Sequence, residues 1–196
     1  MPRCPGWRRW NCNLARLETP AVQPGGPAPG PLLTGLLPLA GPGTRLLLLG
    51  SFPGVASLQA QQYYGHPRNH FWPILGTLWG LDLLAMPYPH RLAVLQQHGV
   101  GLWDVYASCH RPGSLDSAIT QARPNDLLGL AAGLPLLAAI AHNGGTSARS
   151  MRITAATGLP VVRLPSSSPA NATWSFARKC AAWGAVFAAH GIMRVG

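Results

Sequence analysis

The sequence predicts an open α/β fold built around four buried parallel strands, and two observations carry that expectation. Four short runs, RLLLLG (45–50), VGLWDV (100–105), LLAAIAH (136–142) and PVVRLP (160–165), are apolar almost throughout. Strands that alternate are covered on one face only, whereas continuous apolar runs are covered on both. Between these runs lie segments with helical character, over 69–79, 90–97, 125–132, 146–156 and 171–189. Regular alternation of strand and helix is the signature of a parallel sheet.

Each element has a local justification. The last helix is expected to start with Asn171 as its N-cap and to stop at Gly191, with Trp174, Ala177, Ala181 and Ala185 along one stripe. With 196 residues the chain can bury one full core and is too short for two domains of ordinary size. Residues 1–31 combine Arg3, Arg8, Arg9 and Arg16 with the stretch QPGGPAPGP and cannot bury enough apolar surface to order themselves. They are expected to be a flexible extension, either adding nonspecific phosphate contacts or dispensable, with the folded domain spanning 32–196. No internal repeat or second-domain linker is visible.

Charge narrows the partners. Fifteen Lys and Arg stand against five acids, a formal charge of +10, and Lys179 is the sole lysine. Arginine grips phosphate oxygens bidentately, so the balance suits a polyanion, although a GC-rich genome would also raise Arg, Pro, Gly and Ala. Cys4, Cys12, Cys109 and Cys180 form no C-x-x-C pair, so neither zinc nor a cysteine-bound iron–sulfur cluster is indicated. Arg3, Arg8 and Arg9 are not followed by an apolar signal region, which makes a reducing cytoplasm the expected compartment. The longest apolar run, Leu127 to Ala141, is broken by Gly129, Gly133 and Pro135 and falls short of the ~18 residues of a membrane span.

In open α/β sheets ligands bind beyond the carboxyl ends of the strands, so four loops matter most. They carry GSFPG (50–54), DVYASCHRPGSLD (104–116), HNGGTS (142–147) and LPSSSPAN (164–171). No G-x-S-x-G elbow, Walker loop or H-E-x-x-H occurs, and the only glutamate, Glu18, lies in the extension, which closes the zinc-deaminase route.

GSFPG directly after an apolar strand, then YYGHPRNHFW (63–72), then LPSSSPAN after the last strand together resemble the uracil-DNA glycosylase superfamily, and within it the hypoxanthine-DNA glycosylase subgroup. The resemblance runs from about Leu32 to the C-terminus and rests on the three motifs in order. It implies a three-layer α/β/α sandwich around a four-stranded parallel sheet. It also implies base flipping into a pocket, where stacking on an aromatic face replaces the lost stack and hydrogen bonds read the base edge.

Carried over residue by residue, the resemblance assigns Tyr64 as the stacking platform, with a core tyrosine as the structural alternative, and Phe52 as a second wall. Much of the superfamily holds the attacking water with an Asn or Asp at the position that is Phe52 here. The subgroup departs in the same way, and its catalytic amide maps to Asn69, which as a structural alternative would cap the following helix. Ser51 in the motif turn is the second catalytic candidate. Asp104 stands where uracil-reading relatives place an Asn; an ionised carboxylate only accepts hydrogen bonds, and pairing with Arg111 or loop amides is the alternative role. Asn143 is a further base-pocket candidate. Pro165, Ser166, Ser167 and Ser168, helped by amides opening the Asn171 helix, and Arg68 are the DNA-contact candidates, with a plain polar loop as the alternative.

The expected function is therefore a monofunctional glycosylase releasing a deaminated base, hypoxanthine first, from DNA without cofactor, metal or membrane, as a monomer. β-Elimination is not expected, because Lys179 on the final helix is read as distant from all four loops. The competing readings are a uracil or mismatch glycosylase, a non-catalytic binder of damaged DNA, and a nucleotide-binding α/β module.

Overall fold

A computed structural model describes residues 30–193. In chain order the elements are β1 (Leu32–Thr34), β2 (Leu46–Gly50), α1 (Val55–Ala60), α2 (Phe71–Trp79), α3 (Tyr88–Gln97), β3 (Val100–Asp104), β4 (Tyr106–His110) and β5 (Thr120–Pro124). There follow α4 (Leu127–Ala132), β6 (Ala139–Asn143), α5 (Gly145–Ala148), α6 (Met151–Thr154), β7 (Val161–Leu164) and α7 (Phe176–Ala189). The extension expected over 1–31 lies almost wholly outside the described residues.

The expected parallel sheet is present. Its strand order is β3-β2-β6-β7, all neighbours parallel. Every residue of β2 and β6 is buried, because helical layers cover both faces. Leu46 and Leu48 point to one side, against Phe71, Ile74, Leu75, Trp183 and Phe187; Leu47 and Leu49 point to the other, against Val105, Leu127 and Ile140. Each fully buried leucine is worth about 1.5–3 kcal/mol relative to exposure, so this strand anchors both layers.

The helix boundaries differ from expectation for identifiable reasons. Helix α2 opens at Phe71 and not at Asn69, whose Oδ1 accepts the Phe71 N–H at 2.9 Å and turns the chain into the helix. Helix α4 is capped by Asp126, whose side chain accepts the Gly129 N–H at 2.8 Å. The single helix expected over 146–156 is two short ones, α5 and α6. The final helix begins at Phe176 with Ser175 as its cap, so Asn171 is not a helix cap. Its buried face is Lys179, Trp183 and Phe187, while Ala177, Ala181 and Ala185 are exposed. The larger side chains win the core because they remove more apolar area from water.

A second, three-stranded antiparallel sheet, β1-β4-β5, occupies much of what reads in sequence as a loop. Its strands are short, mostly not buried and shifted in register between β4 and β5, so no clean alternation marks them. It follows β3 almost without a break: the Val105 and Tyr106 N–H groups donate to the Gly50 and Ser51 carbonyls, extending the pairing past Asp104.

Candidate active site

The parallel register gathers the informative residues. Gly50 lies opposite Asp104, and Asn143 opposite Leu164, so all four strands end along one line. Beyond that line lies a cleft of about 940 Å³, a size suited to a small-molecule ligand or a flipped base. Ser51, Phe52, Tyr64, Asn69, Asp104 and Asn143 all line it. On the facing wall stand Pro165, Ser166, Ser167, Ser168 and Asn171. Arg68 is exposed beside Asn69 but is not among the lining residues.

Asp104 is the most unusual group there. It is only 5% exposed, and its Oδ2 has no hydrogen-bond partner. The neighbouring strand makes room for it by having no side chain: a Cβ on Gly50 would sit 2.2 Å from Asp104 Oδ1. Burial foremost, then the charge of Asp116, raises the Asp104 pKa to about 7, with Arg111 opposing. Near neutral pH the carboxyl is therefore divided between two forms, and the protonated form donates as well as accepts. Pairing with Arg111, the alternative role, is not found. Arg111 Nη1 lies 3.9 Å from Asp116 Oδ1, Nη2 donates to the Pro53 carbonyl, and the guanidinium lies 5.1 Å from the centre of the Phe52 ring.

Tyr64 is half-buried with one ring face stacked on Phe71 at 3.7 Å and 13°. Its backbone is left-handed, φ 55°, a conformation uncommon for a bulky residue. Burial, reinforced by the charge of Asp104, raises the pKa of its phenol, which stays protonated at neutral pH. Asn143 fixes it: Nδ2 donates to Tyr64 Oη at 3.1 Å and to Ser167 Oγ at 2.9 Å, while Oδ1 accepts the Ser167 N–H at 2.9 Å. Both amide hydrogens are thus in use, which makes Asn143 a brace between β6, the aromatic ring and the serine loop. Close approach of those loops also needs Gly144, which has φ 99° and would place a Cβ 2.8 Å from that of Ser166.

The serine loop is tied internally. Ser167 is fully buried and holds Asn143, so it is not available to a phosphate, correcting that expectation. Ser166 Oγ and Ser168 Oγ accept the Ser168 and Ala170 N–H groups, and Asn171 Nδ2 donates to the Ser166 carbonyl. Because the last helix opens at Ser175, its amides do not assist these serines. Lys179 corrects a second expectation. It is buried beneath this loop, Nζ lying 3.4 Å from His70 Nδ1 and 3.5 Å from the Ser168 carbonyl, not remote from the loops. Burial lowers its pKa, and burial followed by its charge lowers that of His70.

Several lining residues were not singled out in sequence. Asp116 accepts the Ser51 hydroxyl at 2.7 Å, and Ser114 accepts the Val55 N–H at 3.0 Å, so the segment between β4 and β5 folds onto the GSFPG turn. Arg149 and Arg163, both exposed, bring positive charge to the opposite wall, and Arg178 lies 4.0 Å over Trp174, which lines the cleft. Their signal was positional only: each lies near the C-terminal end of a sheet strand or in the segment that follows it.

A cleft at the strand ends, lined by aromatic side chains, a buried acid and a serine loop, is the candidate site of this α/β fold. The sequence profile described as the uracil DNA glycosylase superfamily matches residues 38–187, and the chain belongs to that superfamily. A protein named hypoxanthine DNA glycosylase from Methanosarcina acetivorans is 40% identical over 144 residues, 74% of this chain and 90% of the relative. One of the same name from Methanosarcina barkeri is 39% identical over 137 residues, 70% of this chain and 87% of the relative. A solution NMR structure of a candidate uracil DNA glycosylase from Methanosarcina acetivorans superposes with a TM-score of 0.74 at 36% identity, covering 82% of this chain and 99% of the other. The four-stranded α/β architecture is thus that of its relatives. No helix among the described residues is long and apolar enough to cross a membrane.

Proposed function

We propose that this chain is a monofunctional DNA glycosylase that hydrolyses the N-glycosidic bond of a deaminated purine, hypoxanthine first, and leaves an abasic site. The observation that carries the reading is the convergence of Asn69, Tyr64 and Asp104 on one cleft large enough for an everted base. The names of its relatives support the substrate class.

In this reading the free face of Tyr64 takes the flipped base, its other face being held by Phe71. Hypoxanthine presents a ring N–H beside a carbonyl, and a protonated Asp104 offers the matching acceptor and donor. Asn69 Oδ1 is engaged by the Phe71 N–H, whereas Nδ2 has no partner among the described residues. Asn69 therefore orients water or sugar by donating, with much of the barrier lowered electrostatically. Ser166, Ser168 and Pro165, together with Arg68, Arg149 and Arg163, hold the flanking phosphates. Asn171 acts there through the loop it braces. Lys179, buried and outside the cleft lining, forms no Schiff base with the abasic sugar.

The test is a panel of duplexes carrying deoxyinosine, deoxyuridine, xanthine or mismatched thymine, incubated with excess enzyme and assayed for alkali-labile sites. Release of hypoxanthine ahead of the others is expected, and Asn69→Ala should lose it while still binding DNA. Tight binding without release of any base would replace the reading with a damage-binding protein. Binding of free nucleotides with indifference to duplex would replace it with a nucleotide-binding module.

A further inference from the structure

The motif turn lacks the polar residue that would manage the attacking water. Phe52 is 5% exposed and packs under Arg111. Asn69 contributes only an amide, and an amide cannot take a proton from water. Hydrolysis nonetheless leaves a proton to be accepted. When water oxygen bonds to C1′ and the C1′–N9 bond breaks, N9 departs with the electron pair and the water must give up a proton.

One carboxylate reaches the turn from elsewhere in the chain. Asp116, 65 residues after Ser51, accepts the Ser51 hydroxyl at 2.7 Å through Oδ2 and lines the same cleft. Its side chain is 38% exposed, so it meets cleft water, and its Oδ1 lies 3.9 Å from Arg111 Nη1. A second observation points to the same space: Asp104 is buried, lines the cleft and leaves Oδ2 unpartnered. Two acids therefore face one cavity in different surroundings, one sequestered, the other wet and held in place. Such unequal pairs divide donor and acceptor work in hydrolases.

We infer that Asp116, positioned by Ser51, is the carboxylate that orients the attacking water and accepts its proton. The proton passes from water to Asp116 and then to solvent, while the departing base anion is protonated at Asp104 or by solvent; no oxidant or cofactor enters. Ser51 is then a positioning residue. This deepens the glycosylase reading and rests on it.

The deciding experiment is single-turnover release of hypoxanthine from a deoxyinosine duplex by excess full-length enzyme, for wild type, Asp116→Asn, Ser51→Ala and Ser51→Thr. Asp116→Asn is expected to slow release by about 10²–10⁴-fold. It should bind DNA like wild type and remain folded, with a lower melting temperature because the charge opposite the buried Arg111 is lost. Ser51→Ala, which keeps both acids, should slow release by roughly 10-fold, the scale of one lost hydrogen bond, and Ser51→Thr, which keeps the hydroxyl, should restore it. Asp116→Asn within threefold of wild type, or a loss matched by loss of folded protein with Ser51→Ala unimpaired, would overturn the inference alone. A wild type inert on every substrate would instead overturn the glycosylase reading beneath it.

Discussion

Asp104→Asn tests the central electrostatic claim without needing DNA. In the unfolded chain this carboxyl has its ordinary pKa of 3.8, and in the fold burial raises it to about 7. Between those values folding takes up a proton, so stability falls as pH rises, by about 1.4 kcal/mol per unit. Above pH 7 the cost is complete, on the order of 4 kcal/mol. It is absent below pH 3.8, where both states are protonated. Asparagine is nearly isosteric and does not titrate, but it brings its own constant cost for a buried amide. The informative quantity is therefore how the stability difference between variant and wild type changes with pH. From urea unfolding at pH 5 and pH 8, Asp104→Asn should gain about 3 kcal/mol on wild type between the two. A difference that stays flat, or shrinks with rising pH, would show that the buried carboxyl is not held protonated and would remove the donor assigned to it.

Three further outcomes follow from the same geometry. His142 is fully buried between Ser147 and Thr154, and burial lowers its pKa from 6.5 to about 4, so stability present above pH 6.5 is lost as pH falls towards 4. Wild type should lose about 3 kcal/mol more than His142→Asn over that span in urea titrations; equal losses would contradict it. Tyr64→Ala should weaken capture of the flipped base by about 1–3 kcal/mol in competition binding to deoxyinosine duplex, while Tyr64→Phe, which loses only the Asn143 hydrogen bond, should cost about 1 kcal/mol or less. Equal effects would assign Tyr64 to the scaffold. Arg149→Ala with Arg163→Ala should weaken binding to all sequences and reduce the slope of log affinity against log salt by roughly 2; an unchanged slope would move the phosphate path elsewhere.

The parallel sheet was legible because both-face burial imposes an unmistakable pattern: a run such as Leu46 to Leu49 has no exposed position to break it. The site was legible in part for the same reason, since loops after such strands must converge. What escaped was everything set by tertiary company. Lys179 reads as a residue of the final helix distant from the four loops, yet the face it shares with Trp183 and Phe187 is the buried one, and the alanines of the expected stripe point outward. Asp116 sits in a polar stretch between two short strands, where no periodicity indicates that Ser51 is its partner. The Asp104 environment depends on the register pairing of Asp104 with Gly50, which no local pattern reports.

Hydrogen-bond accounting separates scaffold from chemistry in this cleft. Asn143, Ser167 and Asn171 look like functional groups in sequence, but each, like the neighbouring His142, is engaged by neighbours and serves to hold loops, strands or rings in place. A group already making its bonds gains little by trading them for a substrate. Buried polar atoms are nearly always paired, so an unpaired one marks a position maintained at a cost to stability. In the cleft that description fits Asp104 Oδ2, placed where Gly50 alone could leave room for it. Reading a deaminated base supplies a reason for the cost, because the ligand's own N–H and carbonyl would complete what the fold leaves open.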